Sequence, residues 1–223
     1  MQDLHILQKS VLFYGMTEQE IKEALDFYEA EFTSYKKGEY ILHAGDKLNR
    51  FGFVLCGVVQ VFMDDINGNR IVMASVTPGI SFGESLCFLQ AVDNDIYIMA
   101  GSDCRVMWLS CHGMKDNSYF ADEKWHKMYM RFTSLLAGRT LAMNDRIQIL
   151  SKHTLREKLY TFFAQCCLHY DSMCFDIDMD REVMAAYLGA DRSALSRELS
   201  KLRREGFLDY HKNHFVIKKA AKK

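Results

Sequence analysis

Between Gly189 and Gly206 the chain carries Arg192, Ser193, Ser196, Arg197, Lys201 and Arg204, interleaved with Leu195, Leu199 and Leu202. On a helix of 3.6 residues per turn, that spacing puts the leucines on one face and the arginines, serines and lysine on the other. The polar set has a definite chemistry. A guanidinium is a planar fork that donates twice to guanine O6 and N7, a serine hydroxyl bonds to bases or phosphate, and an ammonium group neutralises phosphate charge. The free amides of a helix N-terminus add a place for an anion. A solvated basic face has the same composition, so the neighbouring elements must decide between the two.

Residues 181–189, REVMAAYLG, read as a short helix with Val183, Met184 and Leu188 inward and Ala185 small where a crossing helix comes close. Gly189 can take the left-handed conformation of a tight turn, and Asp191 can cap the next helix. Beyond Gly206, LDYHKNHFVI alternates around Lys212-Asn213, which reads as a two-residue hairpin turn. These parts make a winged helix-turn-helix, a motif whose second helix enters a major groove. His211 and Lys212 at the wing tip join the polar set as phosphate contacts. His211 and His214 lack the two further ligands of a zinc site.

The charge is distributed in keeping with this. Residues 1–150 hold 14 basic and 19 acidic residues, a net −5, whereas 151–223 hold 14 and 10, a net +4. The stretch 191–223 reaches +6, with 10 basic and 4 acidic residues. A basic terminal module on an acidic body suits a polyanion partner.

The elements that must position this module lie upstream. Residues 17–31 read as an amphipathic helix with Ile21, Leu25 and Tyr28 apolar and Thr17 as its cap. From about 32 to 112, brief runs of Val, Ile, Phe and Tyr broken by glycines imply strands, with turns at Asn67-Gly68 and Pro78-Gly79, in a small antiparallel roll or barrel. Residues 119–150 form one long helix in which Trp125, Tyr129, Phe132, Leu136, Met143, Ile147 and Leu150 recur in steps of three, four or seven. That stripe is either a seam against an identical helix or the face that packs on its own domain. A further helix, LREKLYTFFAQCCLHY, and a short strand in FDIDMD lead into the basic module.

Seven cysteines without a CxxC pair read as free thiols. No run is long and apolar enough to span a bilayer and the N-terminus lacks a secretory pattern, so a cytosolic protein without membrane association is expected. No nucleophile, base and orienting group can be matched among Glu84, Ser85, His43 and His112, so an enzyme is not expected. A ligand-binding module that regulates a protein partner, with the basic tail as docking surface, is the alternative reading.

With its roll at DDINGNRIVMASVTPGISFGE, its long helix, and DREVMAAYLGADRSALSREL, the chain resembles the Crp/Fnr family, the dimeric bacterial transcription regulators that include the cyclic-AMP receptor protein. The resemblance implies an α+β protein in three parts. These are an N-terminal effector-binding β-roll of the cyclic-nucleotide-binding, jelly-roll type (1–118), a dimerisation helix (119–150) and a winged helix-turn-helix DNA-binding domain (151–223). Its implied partners are double-stranded DNA, a second copy of the chain, a small-molecule effector and RNA polymerase, with no cofactor. Gly83, Glu84 and Ser85 match the cyclic-nucleotide signature, but the phosphate-neutralising arginine is replaced by Asn94 beside Asp95. A buried cyclic phosphate without its cation and next to a carboxylate is unfavourable, so the effector is expected not to be cyclic AMP. Thr140 on the long helix falls where family members touch an effector from the dimer side. The hinge LSKHTLREKL looks closer to the fumarate and nitrate reduction branch, yet the N-terminal cysteines that hold that branch's iron–sulfur centre are missing. Family members often carry glutamate where Ser193 stands, so the familiar half-sites are not carried over.

Overall fold

The segments Arg50–Cys56 and Cys104–Ser110 are buried at nearly every position, so a strand in either must be covered on both faces. The computed structural model shows how. It describes residues 2–68, 70–90, 95–112, 123–177 and 179–218, and the chain divides into two compact units, Met1–Ala137 and Gly138–Lys223.

In the first unit, β1 (Glu31–Tyr35), β2 (Tyr40–Leu42), β3 (Arg50–Cys56), β4 (Val59–Asp64), β5 (Arg70–Val76), β6 (Ser81–Phe82), β7 (Ile96–Ala100) and β8 (Cys104–Ser110) form two four-stranded sheets. Their orders are β1-β8-β3-β6 and β2-β7-β4-β5, with every pairing antiparallel. Val54, Val59, Phe82, Ile98, Val106 and Trp108 fill the space between the sheets. Alternate residues of the same strands, Phe51, Phe53, Leu55, Met107 and Leu109, face the other way, into a second core with the helices. Those helices are α1 (Gln2–Gln8), α2 (Glu18–Phe27), α3 (Glu84–Leu89) and the start of α4 (Glu123–Leu150). Thr17 and Glu20 cap α2 reciprocally, as Thr17 predicted. The short α3 lies where the sequence suggested only strands.

The apolar stripe of α4 is committed to its own unit only in its first half. Phe132 is 1% exposed in the first core and Trp125 stacks on Phe27 with ring centroids 4.4 Å apart, so this half serves its own unit. Further along, in the second unit, Met143, Ile147 and Leu150 remain 65%, 59% and 40% exposed.

The second unit continues with α5 (Leu155–Tyr170), β9 (Cys174–Asp176), α6 (Arg181–Tyr187), α7 (Arg192–Arg204), β10 (Leu208–His211) and β11 (His214–Ile217). A Thr154–Glu157 capping box starts α5, and the strands form one antiparallel sheet in the order β10-β11-β9. Ile149, Leu159, Phe163, Met184, Leu188, Leu195, Leu199, Leu202 and Phe215 make its core. The whole is an α+β protein, a two-sheet roll with helices followed by a winged helix-turn-helix. Among the described residues, no helix is long and apolar enough to cross a membrane.

Because Leu199 is fully buried in the middle of α7, Leu199→Ala should destabilise the second unit by about 2–5 kcal/mol, read as a lower denaturant midpoint. A loss well below 1 kcal/mol would mean that this face of α7 is not a core face.

Candidate nucleic-acid interface

The turn between α6 and α7 is built from local chemistry. Asp180 caps α6 by accepting from the amides of Glu182 and Val183, both at 2.9 Å. Met184, Ala185 and Leu188 face inward, whereas Val183 is 53% exposed, contrary to its expected place in the core. The helix has only seven residues, and its single buried side is filled by 184, 185 and 188, leaving Val183 outside. Gly189 has φ +59°, and a Cβ there would come 3.1 Å from Leu150 Cδ2, so both backbone and space favour glycine. Lys158 Nζ donates to the Leu188 carbonyl at 3.0 Å, and the Ala190 amide closes the turn on the Ala185 carbonyl at 2.9 Å.

Asp191 then starts α7, accepting from the amides of Ser193 at 2.8 Å and Ala194 at 3.1 Å. Leu195, Leu199 and Leu202 are fully buried, so the opposite face is fixed outward. Arg192, Ser193, Ser196, Arg197, Lys201 and Arg204 are all exposed, as the spacing predicts. Arg192, Arg197 and Arg204 make no ion pair among the described residues, and Lys201 reaches Glu198 at 3.7 Å.

The serine hydroxyls are already engaged. Ser193 Oγ donates to Asp191 Oδ1 at 2.5 Å and Ser196 Oγ to the Arg192 carbonyl at 3.0 Å. In this arrangement their remaining capacity is as acceptors, where the sequence suggested donors. Ser200, which the spacing did not single out, lies on the same face and donates to the Ser196 carbonyl at 2.9 Å.

Two arginines distant in sequence brace the module. Arg156 of α5 holds both oxygens of Glu205 at 2.8 Å and Glu198 Oε1 at 2.6 Å, which raises the Arg156 pKa and lowers that of Glu205. Arg181 lies over the rings of Phe215 and Tyr210, at 5.0 and 5.4 Å, and donates to the Lys212 carbonyl, tying α6 to the wing. Burial lowers its pKa. Neither brace has a signature in local spacing.

In the wing, His211 pairs with His214 across the Lys212-Asn213 turn, and His211 and Lys212 are exposed. His214 is occupied, with Nδ1 3.1 Å from Asp176 Oδ1 and Nε2 3.2 Å from Cys174 Sγ. Arg181, Arg192, Tyr210, Lys212 and Asn213, with Asp180 and Glu182, line a cleft of about 550 Å³. It brings the starts of both helices and the wing tip together.

The effector candidates lie apart from this surface in the sequence. Gly83, with φ +77°, precedes α3, Glu84 is buried in its first turn and Ser85 is exposed. Asp95 is exposed before β7, Asn94 lies outside the described residues, and Thr140 is exposed on α4 in the second unit.

Comparison with known proteins agrees with both units. Residues 32–114 match the cyclic nucleotide-binding domain, and residues 150–222 match the Crp-like helix-turn-helix domain. Transcriptional activator protein FnrL of Cereibacter sphaeroides is 23% identical over 196 residues, covering 83% of this chain and 76% of that protein. The cAMP-activated global transcriptional regulator CRP of Salmonella typhimurium is 18% identical over 82% of this chain and 87% of its own. The crystal structure of Thermus thermophilus catabolite activator protein superposes with a TM-score of 0.53 at 23% identity over 95% of both chains. These relatives are transcription regulators rather than enzymes.

The Ser193 hydroxyl, then the amides of Ala194 and Ser193, hold the Asp191 carboxyl below its ordinary 3.8. A carboxyl lowered on folding stabilises the fold above its unfolded pKa, and the contribution vanishes as pH falls through the folded value. Asp191→Asn should therefore be less stable than the parent at pH 7, with the gap shrinking below pH 3.8 in urea unfolding. A gap equally wide at low and neutral pH would contradict the charged cap.

Proposed function

Because the chain belongs to the Crp/Fnr family of transcription regulators, by its two matched domains in order, we propose that it acts as a homodimer on an inverted-repeat DNA operator. The observation that carries this reading is the outward face of α7, with three arginines free of ion pairs among the described residues above a fully buried leucine stripe. Arg197 reads a base edge, Arg192 and Arg204 extend the basic face, Lys201 and Lys212 neutralise phosphates, and His211 contacts one. Ser193 and Ser196 accept from base amino groups while their hydrogens stay on Asp191 and the Arg192 carbonyl.

The dimer seam we assign to the second half of α4. Thr140, Met143, Ile147 and Leu150 alternate in steps of three and four, and the three apolar members are exposed in the single chain. Trp125, Met128 and Phe132 are not available for it, being packed in the first core. The functional division into an effector roll (1–118), a dimerisation helix (119–150) and a DNA-binding domain (151–223) follows from this reading, as does a cytoplasmic location, with RNA polymerase as a further partner.

A small effector other than cyclic AMP acts on the roll near Gly83, Glu84 and Ser85, with Asn94 and Asp95 in place of a phosphate-binding arginine. The support is chemical. A cyclic phosphate needs a cation, and this stretch supplies an amide and a carboxylate.

Operators selected from a random DNA pool provide the test by mobility shift. Arg197→Ala should cost about 1–3 kcal/mol on the selected sequence and flatten discrimination at one base position, whereas Lys201→Ala should weaken every sequence alike and reduce the salt dependence. Unchanged discrimination in Arg197→Ala, or no retained DNA for the parent protein, would remove the reading.

A further inference from the structure

Two cysteines that the DNA-binding reading leaves unused meet in the first unit. Cys87 on α3 and Cys111 just beyond β8 are each 2% exposed, and their sulfurs lie 3.2 Å apart. A disulfide needs about 2.05 Å, so the two need to approach by only about 1 Å. Cys87 Sγ is also 3.3 Å from the Asn49 carbonyl oxygen. Both sulfurs line a cavity of about 260 Å³ shared with Asn49, Arg50, Gln90, Ser110 and His112. Asn49, Gln90 and His112 are exposed, so the cavity offers a small molecule a way in to thiols that the surface otherwise hides.

The pair also touches the device that would carry a signal. The residue after Cys87 is Phe88, whose ring centroid is 5.7 Å from that of Phe132 on α4, and Phe132 in turn meets Phe51 of β3 at 5.5 Å. The same short helix begins at the Gly83-Glu84 turn. A covalent pull on Cys87 therefore moves a helix packed directly against α4, and close-packed rings transmit displacement instead of absorbing it.

We propose that Cys87 and Cys111 are a dithiol that a hydroperoxide converts to a disulfide, and that closure passes through Phe88 and Phe132 to α4. The Asn49 carbonyl oxygen, 3.3 Å from Cys87 Sγ, can accept the Cys87 proton, which leaves Cys111 as the attacking sulfur, reacting as its thiolate. That sulfur takes the distal oxygen of the hydroperoxide as the O–O bond breaks. The Cys111 sulfur is oxidised to a sulfenic acid, and the remainder of the peroxide leaves as an alcohol, or as water from hydrogen peroxide. Cys87 then attacks the oxidised sulfur, the S–O bond breaks, and the hydroxyl leaves as water with the Cys87 proton. In sum, two thiols and one hydroperoxide give one disulfide, one alcohol and one water. The effect on DNA rests on the proposed function, but the sulfur chemistry does not.

The test treats the reduced full-length chain with hydrogen peroxide and maps peptides without reductant. The expected result is one linked pair joining Cys87 to Cys111, reversed by dithiothreitol, with a sulfenic acid trapped by dimedone on Cys111 in Cys87→Ser. Operator affinity should differ between the oxidised and reduced chains by at least about fivefold. Both cysteines still open to alkylation after peroxide, or sulfurs joined elsewhere, would overturn the couple. A Cys87–Cys111 disulfide with unchanged DNA affinity would overturn the transmission. If the reduced chain retains no DNA at all, the proposed function fails instead, and the peptide map still decides whether the couple exists.

Discussion

Burial of Leu195, Leu199 and Leu202 decides what the carboxyl-terminal module can do. The three leucines lock the rotation of α7, and with rotation fixed, every charged residue on the helix has a determined side. Without that stripe, the arginines would be distributed around a mobile rod and could not meet a groove as a set. The other features of the module serve this arrangement. Gly189 permits the bend, Asp191 satisfies the first amides, and Arg156 clasps Glu198 and Glu205 so that α7 is held along its length.

The first unit solves a related problem with sheets. Because β3 and β8 are apolar on both faces, they need a second sheet on one side and helices on the other, which is why α2, α3 and the first half of α4 converge on Phe51, Phe53 and Leu109. The consequence is mechanical as well as stabilising. A helix as short as α3, seated between the sheet and α4, is the element best placed to turn a small local change into a displacement of α4. Cys87 of the thiol pair lies on it, and the glycine-glutamate turn lies at its start.

Much of this was legible in the sequence wherever one local period dominated. The leucines of α7 repeat at helical spacing, the wing alternates about a two-residue turn, and Thr17 announces α2. Legibility ended where the deciding partner was distant or the element too short. Residues Leu86, Cys87, Phe88 and Leu89 are a run of four apolar positions, which a buried strand and a short helix share, so α3 passed as part of the strand region. Val183 reads as inward in the sequence because α6, two turns long, shows too little periodicity to define its buried side. The stripe of α4 indicates which side is apolar, but not that Trp125 stacks on Phe27 while Met143 and Ile147 stay exposed among the described residues. Arg156 and Arg181 have their partners about 30 to 50 residues away, beyond any spacing argument.

The most direct measurement of the central claim is hydroxyl-radical footprinting of the full-length chain on a selected operator. Two α7 faces presented by a symmetric pair should protect two windows on the same side of the duplex, centred about 34 Å apart, with the same sequence inverted in each. A single protected window, or protection spread evenly without regard to sequence, would contradict it.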